Sequence, residues 1–495
     1  MELLEKRNYL TNFLLTILPF IAIFFAIRFI FSSNIFFDEN NIIGPIKGHL
    51  LGHSYPTLMY PTFSYIFFEY FYKVFSFFNP TLDLYVYCRI INALLLGINF
   101  LLFYVALEGF LEKSWRLLGA WAFVLSPGVF YSSVVVKTES LQLMEILLAL
   151  WICNKAIKFP NQIKWPILSG LVSGLAVSTK YNPSLFLIYP LSQIFTVEEK
   201  NTKSFFKSKK FWSFLLFFII SVLLTWTTLW KHLAFLFSNQ SFADHHFVNY
   251  PTSAQAVNEW FAFPYGRYSY AFILIFPFLA GIPNYLGFFL GLIKLPRNFL
   301  IIWGGFTIFY LIIILNFTIM RLPHLFTICL PFIVGGSLFF WKNIYFKIKF
   351  KTLRILLFLI LFIWPLSHYS ILANVTRKII EVEKMELTKI IQKTDRNNIF
   401  FLLNNLNTQE VNRVPGDKLV EAIFDRKPKY ILALNTYMDS FCHYKNNSEY
   451  KKQCLFFQQL RSGGVNYKTT WSKSVNFSYL GLFNLEYEYY LYEKN

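Results

Sequence analysis

The chain is built from apolar blocks of about 18 to 25 residues, and this feature constrains its folding most. Thr11–Ile30, Phe211–Trp230 and Leu353–Tyr369 are examples. At 1.5 Å per residue, each is long enough as a helix to cross roughly 30 Å of hydrocarbon. A soluble core of this size does not need a chain that is 55% hydrophobic and only 15% charged. The predicted fold class is therefore an α-helical polytopic membrane protein.

The net charge of +19 raises the question of nucleic acid. Its placement argues against that, because the cations sit in short runs between apolar blocks: Lys6/Arg7, Lys113/Arg116, Lys155/Lys158/Lys164, Lys200–Lys210, Lys294/Arg297 and Lys342–Arg354. Such runs mark the cytoplasmic side. Threading the chain through them gives eleven expected spans, near 11–31, 84–108, 116–136, 140–154, 165–180, 183–197, 211–231, 269–292, 298–316, 322–341 and 352–373. The N-terminus is then inside and the C-terminus outside. The first block has no small-residue cleavage site after it and is expected to stay as the first span. Residues 60–78 are apolar but hold Glu69 and Lys73, and counting them as a span would invert every later basic loop. They are predicted to form a juxtamembrane helix within a first external loop, 38–83. Residues 180–183, Lys-Tyr-Asn-Pro, are predicted to turn a hairpin at the outer face, with Pro183 opening its second helix.

Beyond about residue 374 the apolar runs shorten to strand length, so the expected division is a membrane domain over 1–373 and a small extracytoplasmic α/β domain over 374–495. Helices are predicted at 375–393 and 418–424, and strands at 398–403 and 430–434. Cys88, Cys153 and Cys329 lie in apolar blocks, where a thiol behaves as a small hydrophobe. Cys442 and Cys454 lie in the tail and would pair only in an oxidising compartment.

On this topology the ionisable residues at the outer ends of spans form a short set. It contains Asp38 and Glu39, Glu139, Lys180, Asp244 with His245 and His246, and Arg321 with His324. Charges within or beside spans are costly and mark functional candidates. Each has a plainer reading. Asp38-Glu39 reads also as a solvated loop, Glu139 as a helix-start acid favoured by the dipole, and His245-His246 as loop histidines without the third ligand a metal needs. Arg321 reads also as a topology marker, although its outward place is the wrong side for one. As a set, the carboxylates can take a proton and the cations can hold an anionic leaving group. A transferase facing outward needs a lipid-carried donor, since nucleotide donors are cytoplasmic, and a polyprenyl-phosphate sugar meets that need.

Several short motifs occur in a fixed order. They are Phe37-Asp38-Glu39, then residues 59–65 beginning Met59-Tyr60-Pro61, then Cys88-Arg89-Ile90-Ile91-Asn92-Ala93, then Leu125-Ser126-Pro127 with Lys137-Thr138-Glu139. The glycine-rich stretch 170–181, which ends Thr179-Lys180-Tyr181, follows, and then Arg321-Leu322-Pro323-His324 with Leu330-Pro331-Phe332. In this order the chain resembles the GT-C class of membrane glycosyltransferases, in the group of protein O-mannosyltransferases and bacterial lipid A aminoarabinose transferases. It differs in having Glu139 where the family usually has Asp. The resemblance implies inverting transfer of one sugar from a polyprenyl-phosphate donor to a hydroxyl of a protein, lipid or glycan acceptor. Asp38 is expected as general base, with Glu39 and Glu139 orienting acceptor or sugar. Lys180, Arg321, His324 and Arg89 are expected at the donor phosphate, and Asp244, His245, His246 and Tyr60 are acceptor or loop candidates. No cofactor is required by this scheme; a divalent metal is compatible with it but not predicted. A transporter or flippase of lipid-linked sugars and a polysaccharide ligase or polymerase are the competing readings. The abundance of Phe, Lys, Asn and Ile suggests an A+T-rich bacterial genome and hence the inner membrane.

Overall fold

A computed structural model describes residues 2–30, 39–55, 61–80, 82–180, 182–196, 202–231, 270–316, 323–380, 382, 388–393, 398–402, 418–435, 438, 442, 448–479 and 483–495. The first helix, α1 (Glu2–Ile30), shows how the bundle divides its residues between protein and surroundings. Leu18, Ala22 and Ala26, four residues apart, are buried, whereas Phe13, Phe20 and Phe24 are more than half exposed on the other side. A helix that exposes Phe along one stripe is facing lipid. Its buried stripe lies on α4 (Leu84–Ala106), where a Cβ on Gly97 would meet Ile23 Cδ1 at 2.6 Å.

Among the described residues, four single helices are long and apolar enough to cross a membrane: Leu10–Arg28, Leu84–Ala106, Thr138–Lys158 and Phe326–Lys347. Two broken pairs also qualify. One joins α5 (Lys113–Val124) to α6 (Pro127–Val134) with a bend of 57°, where Pro127 opens the second half. The other joins Ile282–Lys294 to Arg297–Ile312 with a bend of 119°, at the basic turn that the sequence reading places between two spans. The expected juxtamembrane segment is helix α3 (Phe63–Ser76). Before it, α2 (Asn40–Leu50) occupies part of the segment 38–83, which is expected to form an external loop.

The following elements are α7 (Thr138–Lys158), α8 (Lys164–Thr179), a 3-10 turn at Pro183–Leu187, α9 (Ile188–Thr196), α10 (Thr202–Lys207) and α11 (Lys209–Thr225). α8 and α11 pack backbone to backbone. A Cβ on Gly170 would run into the carbonyl oxygen of Phe214, and one on Gly174 would come within 2.7 Å of that of Phe218. Lipid offers no hydrophobic drive between helices, so such close approach at small residues is what holds them together. At the expected turn, of which Tyr181 lies outside the described residues, the Asn182 side chain caps Ser184 N at 3.2 Å and Pro183 opens a 3-10 helix.

In the tail, β1 (Ile399–Leu402), β2 (Tyr430–Leu434), β3 (Tyr467–Tyr479) and β4 (Phe483–Lys494) form one sheet in the order β1-β2-β4-β3. β1 and β2 are parallel, with Ile399 opposite Tyr430, and the helix Leu419–Arg426 lies between them in sequence. β4 is antiparallel to both of its neighbours. Every residue of β1 is buried, as expected of a strand covered on both faces, and the sheet has a hydrophobic cluster of its own. Cys442 and Cys454 are joined by a disulfide, while Cys88, Cys153 and Cys329 are buried free thiols.

Candidate active site

The site grows from one face of α4. Arg89 and Asn92 are three residues apart and therefore neighbours on the helix surface. Arg89 is 3% exposed. Its Nε donates to Glu39 Oε1 at 2.7 Å and its Nη2 to Glu39 Oε2 at 2.6 Å, a bidentate fork on a carboxylate with no exposed surface. Asn92 Nδ2 donates to the Val135 carbonyl at 2.6 Å. This holds the extended link between α6 and α7, and the next amide, Val136 N–H, donates to Glu39 Oε1 at 2.9 Å. Further along α4, Asn99 Nδ2 donates to Ser140 O at 3.0 Å and fixes the start of α7 on the same helix.

The same link delivers Glu139. It lies in the first turn of α7, 1% exposed, and its Oε1 accepts from the Lys180 ammonium, itself 9% exposed at the end of α8. Thr179, the residue before Lys180, donates from Oγ1 to Glu145 Oε1 at 2.7 Å across the α7–α8 seam. Val136 and Glu139 are three positions apart, so the two ion pairs are joined by no more than about 11 Å of chain. Each is buried, and each brings an acid from one element against a cation from another.

The structure thus brings Glu39, Glu139, Lys180 and Arg89 of the predicted set together. Glu39 is not on a solvated loop, because both its oxygens are engaged inside the protein. The dipole reading of Glu139 and the ion-pair reading hold together, since the acid is both at a helix start and against Lys180. Arg89, expected among the donor-phosphate cations, instead faces Glu39 and fixes the residue next to Asp38. Asp38, Tyr60, Asp244, His245, His246 and Arg321 lie outside the described residues, as does the side chain of His324, whose backbone belongs to the 3-10 turn Pro323–Cys329. Sequence reasoning missed the Asn92 and Asn99 brackets and the Glu145–Thr179 contact. The signal was available as amides and an acid within apolar blocks, where each needs an internal partner.

The architecture is shared with solved proteins. The crystal structure of ArnT from Cupriavidus metallidurans bound to undecaprenyl phosphate matches with a TM-score of 0.54 at 13% identity, covering 86% of this chain and 94% of that one. The apo form of the same protein matches with a TM-score of 0.50 at 11% identity, covering 86% and 93%. The chain has the fold of the GT-C class of membrane glycosyltransferases. The family model described as dolichyl-phosphate-mannose-protein mannosyltransferase matches residues 67–228, about a third of the chain. That third carries Arg89, Glu139, Glu145 and Lys180. No curated protein sequence matches the chain.

Proposed function

We propose that the chain transfers a single sugar from a polyprenyl-phosphate-linked donor to a hydroxyl of a protein, lipid or glycan acceptor on the extracytoplasmic face, with inversion at the anomeric carbon. The carrying observation is the clamp on Glu39. The fork from Arg89 and the amide of Val136 fix the chain next to Asp38, on the same link that sets Glu139 against Lys180. Asp38 takes the proton from the acceptor hydroxyl as its oxygen attacks the anomeric carbon from the face opposite the phosphate. The bond from that carbon to the phosphate oxygen breaks, and the polyprenyl phosphate leaves with the electron pair. Lys180, Arg321 and His324 stabilise the charge on the leaving phosphate. Glu139 keeps the Lys180 ammonium aimed along the α7–α8 seam. Asp244, His245, His246 and Tyr60 belong to the acceptor side of this scheme. No metal enters it.

The undecaprenyl phosphate bound to the ArnT of similar fold supports a polyprenyl-phosphate donor. The disulfide between Cys442 and Cys454 supports a tail in an oxidising compartment, the side on which eleven crossings from a cytoplasmic N-terminus would place it. The test uses the full-length protein in nanodiscs with a panel of radiolabelled polyprenyl-phosphate sugars. One donor is expected to be consumed, with turnover falling about 10²- to 10⁴-fold in Asp38→Asn. Undiminished turnover in that variant removes Asp38 from the role of base, and donor movement across liposomes without turnover favours a flippase.

A further inference from the structure

A cavity of about 540 Å³ opens beside α3, separate from the two buried ion pairs. Its volume lies within the roughly 300–1,000 Å³ of small-molecule sites, and like them it has a mostly apolar surface with a few polar groups set into it. Of the ten residues around it, Ile66 alone is aliphatic. Glu69 is one of these residues. Glu69 Oε1 pairs with the Lys73 ammonium at 2.6 Å, while Oε2 lies 2.7 Å from His49 Nδ1 and accepts from the Tyr55 hydroxyl. The His49 ring stacks on Tyr55 at 4.2 Å, and Tyr55 on Tyr65 at 5.4 Å. The carboxylate is therefore already committed and serves to hold an imidazole, a phenol and an ammonium in place.

Across the cavity stand Thr228 and Lys231, from the segment after α11. The Thr228 hydroxyl is buried and has no hydrogen-bond partner among the described residues. Among the described residues, two ammonium groups against one engaged carboxylate leave the cavity positive whatever the state of His49. The walls are fastened together: Thr62 Oγ1 donates to Thr225 O at 2.9 Å and accepts from Thr227 N at 2.7 Å, tying the start of α3 to the segment that carries Thr228. α2 links this cavity to the candidate active site. Its first turn follows Glu39, clamped by Arg89, and its last turn carries His49, so one short helix spans about 15 Å from the acidic pair to the cavity.

We propose that this cavity binds an anionic sugar unit of the acceptor, one carrying a phosphate or a carboxylate, about 15 Å along α2 from Glu39. Stacked rings beside hydroxyl and ammonium donors suit a saccharide, and the surplus positive charge selects an anionic one. The inference rests on the transferase reading for the word acceptor but not for the binding itself. Contact with a remote group contributes binding energy that positions the hydroxyl at Asp38.

The experiment titrates full-length protein in phosphatidylcholine nanodiscs with glucose 6-phosphate, glucuronate, glucose and inorganic phosphate, followed by calorimetry. At least one anionic sugar is expected to bind more tightly than both glucose and phosphate. Lys73→Gln with Lys231→Gln is expected to weaken it at least tenfold, and Thr228→Val several-fold. Lys73 and Lys231 are exposed, so the double variant keeps its fold, which unchanged melting verifies. Binding that ignores these substitutions, or the absence of binding by both anionic sugars, overturns the proposal. So does binding in which inorganic phosphate does as well as the sugar, or competition by phosphatidylglycerol in the disc, which assigns the cavity to a lipid headgroup. Loss of this binding with donor turnover intact refutes the cavity alone, whereas binding without any donor turnover refutes the transferase reading alone.

Discussion

The Glu39–Arg89 pair gives the sharpest prediction because its burial is nearly complete. Arg89→Met removes two charge-assisted hydrogen bonds, at 2.7 and 2.6 Å, from a carboxylate with no exposed surface and leaves in place the Val136 amide donor at 2.9 Å. Removing one partner of a buried ion pair costs about 3–5 kcal/mol, because the remaining charge stays desolvated. Replacing both partners with uncharged groups of similar volume is often close to neutral, for the same reason. Arg89→Met alone is therefore expected to destabilise by about 3–5 kcal/mol, and Glu39→Gln with Arg89→Met by clearly less than the sum of the single changes, a coupling of about 2–3 kcal/mol. The assay is thermal unfolding in nanodiscs followed by tryptophan fluorescence, at one fixed scan rate because membrane proteins of this size unfold irreversibly. Turnover is measured on the same samples. The double variant is expected to recover stability but not activity, since the neutral pair no longer fixes the chain beside Asp38. Additive losses, or an Arg89→Met protein as stable as the wild type, refute the reasoning.

Three other outcomes follow from particular contacts. Gly170→Ala and Gly174→Ala are expected to separate α8 from α11 and lower the melting temperature more than Gly→Ala at Gly44, where an added Cβ meets nothing within 4 Å; the three melting curves decide it. Cys442 and Cys454 are expected to resist alkylation in non-reduced protein, and replacing both with Ser is expected to cost about 3 kcal/mol by freeing a short loop. The Glu69 carboxyl is pushed up by burial but drawn down further by Lys73, Tyr55 and His49, and the balance holds it below its ordinary value of 4.5. A carboxyl with a depressed folded value stabilises above the unfolded value and loses that contribution as the pH falls through the folded one. Melting measured against pH is therefore expected to fall more steeply below pH 4.5 in wild type than in Glu69→Gln.

The amino-acid sequence by itself determined the solvent and most of the element boundaries. Apolar blocks of span length admit no soluble fold, and the helical reading of 60–78, the turn at Lys180–Pro183 and the strand at 430–434 depend on local periodicity and turn residues, which act over a few positions. It also exposed Glu139, Lys180 and Glu39 as candidates, because charge is costly at those depths whatever the detailed packing. Only the tertiary structure decided which charge faces which. Arg89 reads along the chain as a cation at the start of a span, and nothing local says that its partner lies fifty residues earlier or that Asn92 pins the link that carries Glu139. The cavity beside α3 was equally hidden, since its walls come from segments more than 150 residues apart and are joined through the single hydroxyl of Thr62. Pairings of this kind depend on how helices cross, and crossing is set by packing between distant small residues rather than by any pattern a local stretch contains.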